Sequence, residues 1–120
     1  MSVRLQTLDT ILAGLMRRYR ERVPAVGRIL ECMRHAGLIR RETDIENDHI
    51  AFRTMGAAHL GIASIEKIFL HCGYEKRDAY HFPAKKLNAF WYSPPAPHYP
   101  RIFISELRLG DLSPETARII

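Results

Sequence analysis

Two side chains four residues apart carry the chemistry this chain offers most directly. They are the imidazole of His49 and the guanidinium of Arg53, in the run Asp48-His49-Ile50-Ala51-Phe52-Arg53-Thr54. A neutral imidazole binds metal ions, and a guanidinium grips a carboxylate through two parallel hydrogen bonds. The run reads as a strand, whose side chains alternate between faces, so His49, Ala51 and Arg53 point one way and Ile50 and Phe52 the other. With a rise of about 3.3 Å per residue, the Cα atoms of His49 and Arg53 lie about 13 Å apart. The small Ala51 leaves a gap between them. A small acid fits there with its head on a metal at His49 and its tail carboxylate on Arg53. The same seven residues also suit a hydrogen-bonded core histidine and an edge arginine in a surface pair. The run alone leaves both readings open.

An open iron site needs two histidines and one carboxylate, with positions left for substrate and oxygen. Glu106 is the best local carboxylate, but it reads as a satisfied rim group paired with an arginine. His81, in a strand, and His98, in a proline loop, read as surface residues. His35 and His71 lie in last turns of helices, where a cation complements the helix dipole. Nothing has the close ligand spacing of a zinc site. There is no Gly-rich phosphate loop, no nucleophile elbow, and no Cys-His pair with supporting context.

The elements that must position these groups follow from pattern. The chain has 120 residues, 47% hydrophobic and 26% charged, which bounds it to one domain with a sizeable core and argues against disorder. The net charge of +5 is compatible with nucleic acid or with a small anionic substrate. The one dense basic cluster, Arg17, Arg18, Arg20 and Arg22, is broken by Glu21 and reads as a solvated helix end. Cys32 and Cys72 form no CxxC motif, which fits a reducing compartment, and a cytoplasmic protein is expected. No apolar run approaches a membrane span. The N-terminal apolar spacing predicts a packed helix rather than a transit peptide.

Leu5, Leu8, Ile11, Leu12, Leu15, Met16 and Tyr19 predict a first helix from about Ser2 to Arg20. Pro24 suits the first turn of a second, which Gly37 stops. A charged connector over 40–46 leads to the strand, and a loop over 55–60 to a third helix, 61–72, ended by Gly73. Its predicted inner side is Ile62, Ile65, Ile68, Phe69 and Cys72. Strands follow over 74–82, 87–92 and 101–107. Leu87, Ala89 and Trp91 share one face of their strand; Arg101, Phe103, Ser105 and Leu107 share one face of theirs. Ser113-Pro114-Glu115 is a helix start, and the short helix it opens is marginal alone. This predicts an α+β fold: a βαβββ unit over 45–107, preceded by two helices over 2–36. Residues 1–120 read as a single N-terminal module, expected to be a fragment of a longer chain.

Three segments in order resemble one enzyme family. They are the run 48–54, then Phe82-Pro83-Ala84-Lys85-Lys86-Leu87-Asn88-Ala89-Phe90-Trp91-Tyr92-Ser93-Pro94-Pro95, then Pro100-Arg101-Ile102-Phe103-Ile104-Ser105-Glu106-Leu107. The family is the 2-oxoadipate dioxygenase/decarboxylases, also called hydroxyglutarate synthases, and the resemblance covers essentially the whole chain. It implies a fold similar to vicinal-oxygen-chelate enzymes. It implies a ferrous-iron, O2-dependent conversion of 2-oxoadipate to 2-hydroxyglutarate with loss of CO2, in lysine catabolism. By the same resemblance His49 matches the first of two iron-binding histidines, and Arg53 matches the arginine that binds the substrate carboxylate. The second histidine and the iron-binding glutamate would lie beyond this chain, so Glu106 stays outside the metal set.

The expected partners are therefore a small 2-oxo dicarboxylic acid and O2, with Fe(2+) as cofactor and either a missing C-terminal module or a homodimer partner. No nucleic acid and no membrane are expected. Two alternatives stand beside this one. One is a non-catalytic, single-module binding protein that dimerises. The other, weaker for want of a clustered basic face, is a nucleic-acid-binding domain.

Overall fold

Helix end signals act where the spacing puts them. The computed structural model describes residues 2–120, and the chain forms two compact units, residues 1–46 and 47–120. In the first unit, α1 (Val3–Arg22) begins at Ser2, whose Oγ accepts the Leu5 N–H at 3.2 Å. The α2 helix (Pro24–His35) carries its proline in the first turn. It stops at Gly37, whose φ of +75° lets the Leu38 N–H return to the Met33 carbonyl at 3.0 Å. In the connector, the Asp44 carboxylate accepts the backbone N–H groups of Arg40 and Arg41 at 2.9 and 3.2 Å. Those two bonds hold its carboxyl below the usual range.

The second unit contains β1 (His49–Met55), α3 (Ile62–His71), β2 (Glu75–Phe82), β3 (Leu87–Ser93), β4 (Arg101–Leu107) and α4 (Pro114–Ile119). The strands form one sheet in the order β1-β4-β3-β2. The first and last strands pair in parallel, and the other pairs are antiparallel. This is an α+β fold with a βαβββ module after two helices, as expected from the order of elements, and it is vicinal-oxygen-chelate-like, as the family resemblance implied.

Alternation decides which side each strand buries. The Phe52 ring lies tilted against Phe69 of α3 at 5.6 Å, and Phe69 meets Tyr74 edge-on at the same distance. On that helix-facing side Ile102, Ile104 and Tyr92 are fully buried. Each such side chain contributes about 1.5–3 kcal/mol of apolar burial. The Tyr92 hydroxyl donates to Glu66 of α3 at 2.6 Å, and Lys76 Nζ meets the same carboxylate at 2.9 Å while lying 4.0 Å above the Phe90 ring. Burial, with the Glu66 acceptor, pushes the Tyr92 phenol well above its usual range. The expected inner side of α3 needs one correction: Ile68 is half exposed, while Ile62, Phe69 and Cys72 are buried. The helix turns Glu66 toward the sheet, and Ile68 falls on the rim. Gly73 ends the helix with a φ of +101°.

Candidate functional site

The β1 strand alternates as its sequence requires, with His49, Ala51, Arg53 and Met55 exposed and Ile50, Phe52 and Thr54 half-buried. Because Phe52 faces α3, the imidazole and the guanidinium both project from the opposite face of the sheet. The two candidate groups therefore share one surface, which is open to solvent in this chain.

Strand pairing adds residues from distant parts of the chain to that surface. The parallel β1–β4 register sets Arg101 beside His49, Phe103 beside Ala51, Ser105 beside Arg53 and Leu107 beside Met55. The antiparallel β4–β3 register then sets Trp91 beside Phe103, Ala89 beside Ser105 and Leu87 beside Leu107. Tyr80 and Phe82 of β2 complete the rows beside Ala89 and Leu87. Read across the sheet, one row is Arg53, Ser105, Ala89, Tyr80: a cation and an aromatic phenol separated by two small residues. Phe103 and Tyr80 lie 6.0 Å apart by ring centres. The Trp91 indole donates to the Asp78 carboxylate at 2.9 Å. Ser105 and Ala89 are buried in the sheet, so the open small residue of this face is Ala51, with cations on the β1 side and aromatic rings on the other.

His49 is oriented by its sequence neighbour. Its Nδ1 lies 3.1 Å from Asp48 Oδ2, and Arg101 Nη1 lies 3.1 Å from the other carboxylate oxygen. The His49 hydrogen bond and then the Arg101 charge hold the Asp48 carboxyl below its ordinary range. An ionised carboxylate only accepts, so Nδ1 carries the proton and donates. In the neutral ring, Nε2 is then the nitrogen with the free lone pair. This is how a second-sphere carboxylate prepares a metal-binding imidazole.

Arg53 is held from the side. Its Nε donates to Ser105 Oγ at 3.0 Å, and among the described residues it forms no ion pair with a carboxylate. Its terminal nitrogens remain for a ligand.

Glu106 departs from expectation. Its partner is not an arginine but the start of α3: Oε2 accepts the Ile62 N–H at 3.4 Å. Gly56 and Gly61 make room for it, since a Cβ at Gly61 would lie 2.8 Å from that same oxygen. Glu106 projects from the helix-facing side, the side away from His49. Among the described residues no group of three His, Cys, Asp or Glu side chains converges. A groove of about 400 Å³ in the first unit, lined by Ala25, Ile29, Cys32 and Met33 among others, is almost wholly apolar and lacks the converging polar groups of the sheet face.

Asp48 and Ser105 are the site residues that sequence reasoning missed. Asp48 was signalled by adjacency, a carboxylate beside the one candidate ligand. Ser105 was signalled only as the polar member of an apolar strand, and its partner lies 52 residues away.

Comparison with known proteins agrees with the architecture. The family model for 2-oxoadipate dioxygenase/decarboxylase matches residues 11–120. The chain is 39% identical to the 2-oxoadipate dioxygenase/decarboxylase, chloroplastic/amyloplastic, of Oryza sativa subsp. japonica, and 34% identical to the chloroplastic protein of that name from Arabidopsis thaliana. Each match covers 92% of this chain and 32% of the relative, so the chain spans about a third of the length of these relatives. Among solved structures, hydroxyglutarate synthase from Oryza sativa in complex with 2-oxoadipate superposes with a TM-score of 0.77 at 36% identity, over 92% of this chain and 37% of that one. A protein from Shewanella frigidimarina, named as a hydrolase, superposes with a TM-score of 0.81 at 33% identity, over 92% of this chain and 41% of that one. The expectation of a cytoplasmic protein is overturned, because both plant relatives are named as plastid proteins. Two cysteines without a disulfide framework do not distinguish one reducing compartment from another.

Proposed function

The chain belongs to the 2-oxoadipate dioxygenase/decarboxylase family, and from that membership we propose that it supplies the first half of the active site of an iron(II)-dependent enzyme. The whole protein converts 2-oxoadipate and O2 to 2-hydroxyglutarate and CO2, a step of lysine catabolism. The observation that carries this reading is the shared open face of His49 and Arg53, with Ala51 between them.

The fit to a metal rests on donor chemistry. Asp48 accepts a hydrogen bond from the Nδ1–H of His49, so Nε2 is presented as a ligand atom. One imidazole is one ligand of the three such a site uses, and the remaining donors come from residues outside this chain. When bound, ferrous iron polarises the 2-oxo acid and activates O2 beside it. The protein groups of this chain bind and orient. Arg53 offers its terminal N–H pair to the distal carboxylate, which fixes the length of acid that reaches both ends of the face. The exposed Ala51 leaves space for the methylene chain, and Phe103, Tyr80 and Trp91 give the face an apolar edge. Fixing both ends holds the keto carbon in one position, which is how binding lowers an entropic barrier.

The test is oxygen consumption by the iron-loaded whole protein with 2-oxoadipate, with 2-hydroxyglutarate and CO2 measured in equal amounts. His49→Ala should lose both iron and turnover. Oxygen uptake that does not depend on 2-oxoadipate, or full iron content in His49→Ala, would remove the reading.

A further inference from the structure

We infer that Ser105 is a positioning residue for the carboxylate clamp: it takes the Nε–H of Arg53 and so selects the edge of the guanidinium that meets the ligand. This rests on the reading of Arg53 given above.

A guanidinium has two edges able to hold a carboxylate by paired bonds. One uses Nε with a terminal nitrogen; the other uses both terminal nitrogens. Ser105 stands directly across the parallel β1–β4 pair from Arg53, and its Oγ accepts from Nε at 3.0 Å. The same hydroxyl lies 3.5 Å from the Phe52 carbonyl, the acceptor toward which its own proton is directed. Ser105 is 4% exposed, the one polar residue among the buried residues of the described chain. Its hydroxyl is thus anchored in the sheet while the Arg53 fork extends over the open face. With the Nε edge occupied, only the end-on pair is presented. The next position in the row is Ala89, itself fully buried, so the Ser105 side of the guanidinium is closed to a ligand. The end-on pair is then left to meet the distal carboxylate of an acid that lies along β1 between His49 and Arg53.

The experiment compares 2-oxoadipate with 2-oxohexanoate, which lacks the distal carboxylate, in the iron-loaded whole protein. The measured quantity is the ratio of kcat/KM for the two acids. It is internal to each variant, so a partial loss of folded protein cancels. Ser105→Ala should lower the ratio roughly tenfold, the size of one weakened charge-assisted contact, with the change in the KM for 2-oxoadipate rather than in kcat. Ser105→Thr keeps the hydroxyl and should restore most of the ratio. In Arg53→Lys there is no Nε–H to hold, so adding Ser105→Ala should change the ratio little further. Equal losses from Ser105→Ala in the two backgrounds, or an unchanged ratio in Ser105→Ala while Arg53→Lys lowers it, would overturn the role of Ser105 and leave the clamp standing. An unchanged ratio in Arg53→Lys would remove the clamp, and with it the positioning role.

Discussion

Replacing Asp48 with Ala should weaken iron binding without unfolding the protein. The carboxylate accepts from His49 Nδ1 at 3.1 Å and is itself held by Arg101 at 3.1 Å. Removing it frees the ring in two ways. The imidazole no longer favours the tautomer that presents Nε2, and it can rotate about its side-chain bonds. Loss of such a second-sphere partner lowers metal affinity about 10–100-fold. The structure places this case near the lower end. The His49 and Asp48 side chains are 60% and 77% exposed, so water replaces much of the lost bond, and an effect of about tenfold is expected. The same exposure means that folding stability should barely change, because ion pairs in solvent contribute little. Asp48→Asn keeps an acceptor and should fall between the two. The assay is iron(II) titration of the whole protein against a competing chelator, with thermal unfolding of the same samples. Wild-type affinity in Asp48→Ala, alongside lost binding in His49→Ala, would refute the orienting role.

Arg53→Lys keeps the charge but loses the fork and the Nε–H bond to Ser105. Losing one charge-assisted bond costs about 1.5–3 kcal/mol, so the KM for 2-oxoadipate should rise about 10- to 150-fold with iron content unchanged; an unchanged KM with intact turnover contradicts the clamp. Gly56→Ala places a Cβ 2.9 Å from the Leu107 carbonyl oxygen, a backbone atom that cannot swing aside. Overpacking of this kind costs about 1–3 kcal/mol, which thermal or urea unfolding should register; an unaltered midpoint would show that β1 and β4 part without penalty. Burial alone would raise the Glu66 carboxyl, but the hydrogen bonds from Tyr92 and Lys76 and the Lys76 charge together set it below its usual 4.5. A depressed folded value means that the unfolded chain binds more protons, so this stability is present above about pH 4.5 and drains away as pH falls through the lower folded value. Unfolding measured across that window should show a shallower acid loss in Glu66→Gln than in the wild type, and superimposable slopes would argue against the network.

What the sequence by itself determined is local. The period of two in β1 put His49, Ala51 and Arg53 on one face before any partner strand was known, because neighbouring side chains on a strand must point apart. Gly37 and Gly73 stop their helices, and Ser113 caps α4 with its Oγ on the Thr116 N–H at 3.2 Å; each acts within a few residues of itself. The motif resemblance identified the family for the same reason, since its segments are short and contiguous. The tertiary structure alone decided what stands beside those groups. Nothing in β1 specifies that a strand beginning some fifty residues later lies parallel to it, yet that pairing brings Ser105 to Arg53 and Arg101 to Asp48. It also sends Glu106 to the start of α3 rather than to an arginine, and leaves Ile68 on the rim. Register between distant strands is set by the packing of both sheet faces at once, a constraint that no window of sequence contains.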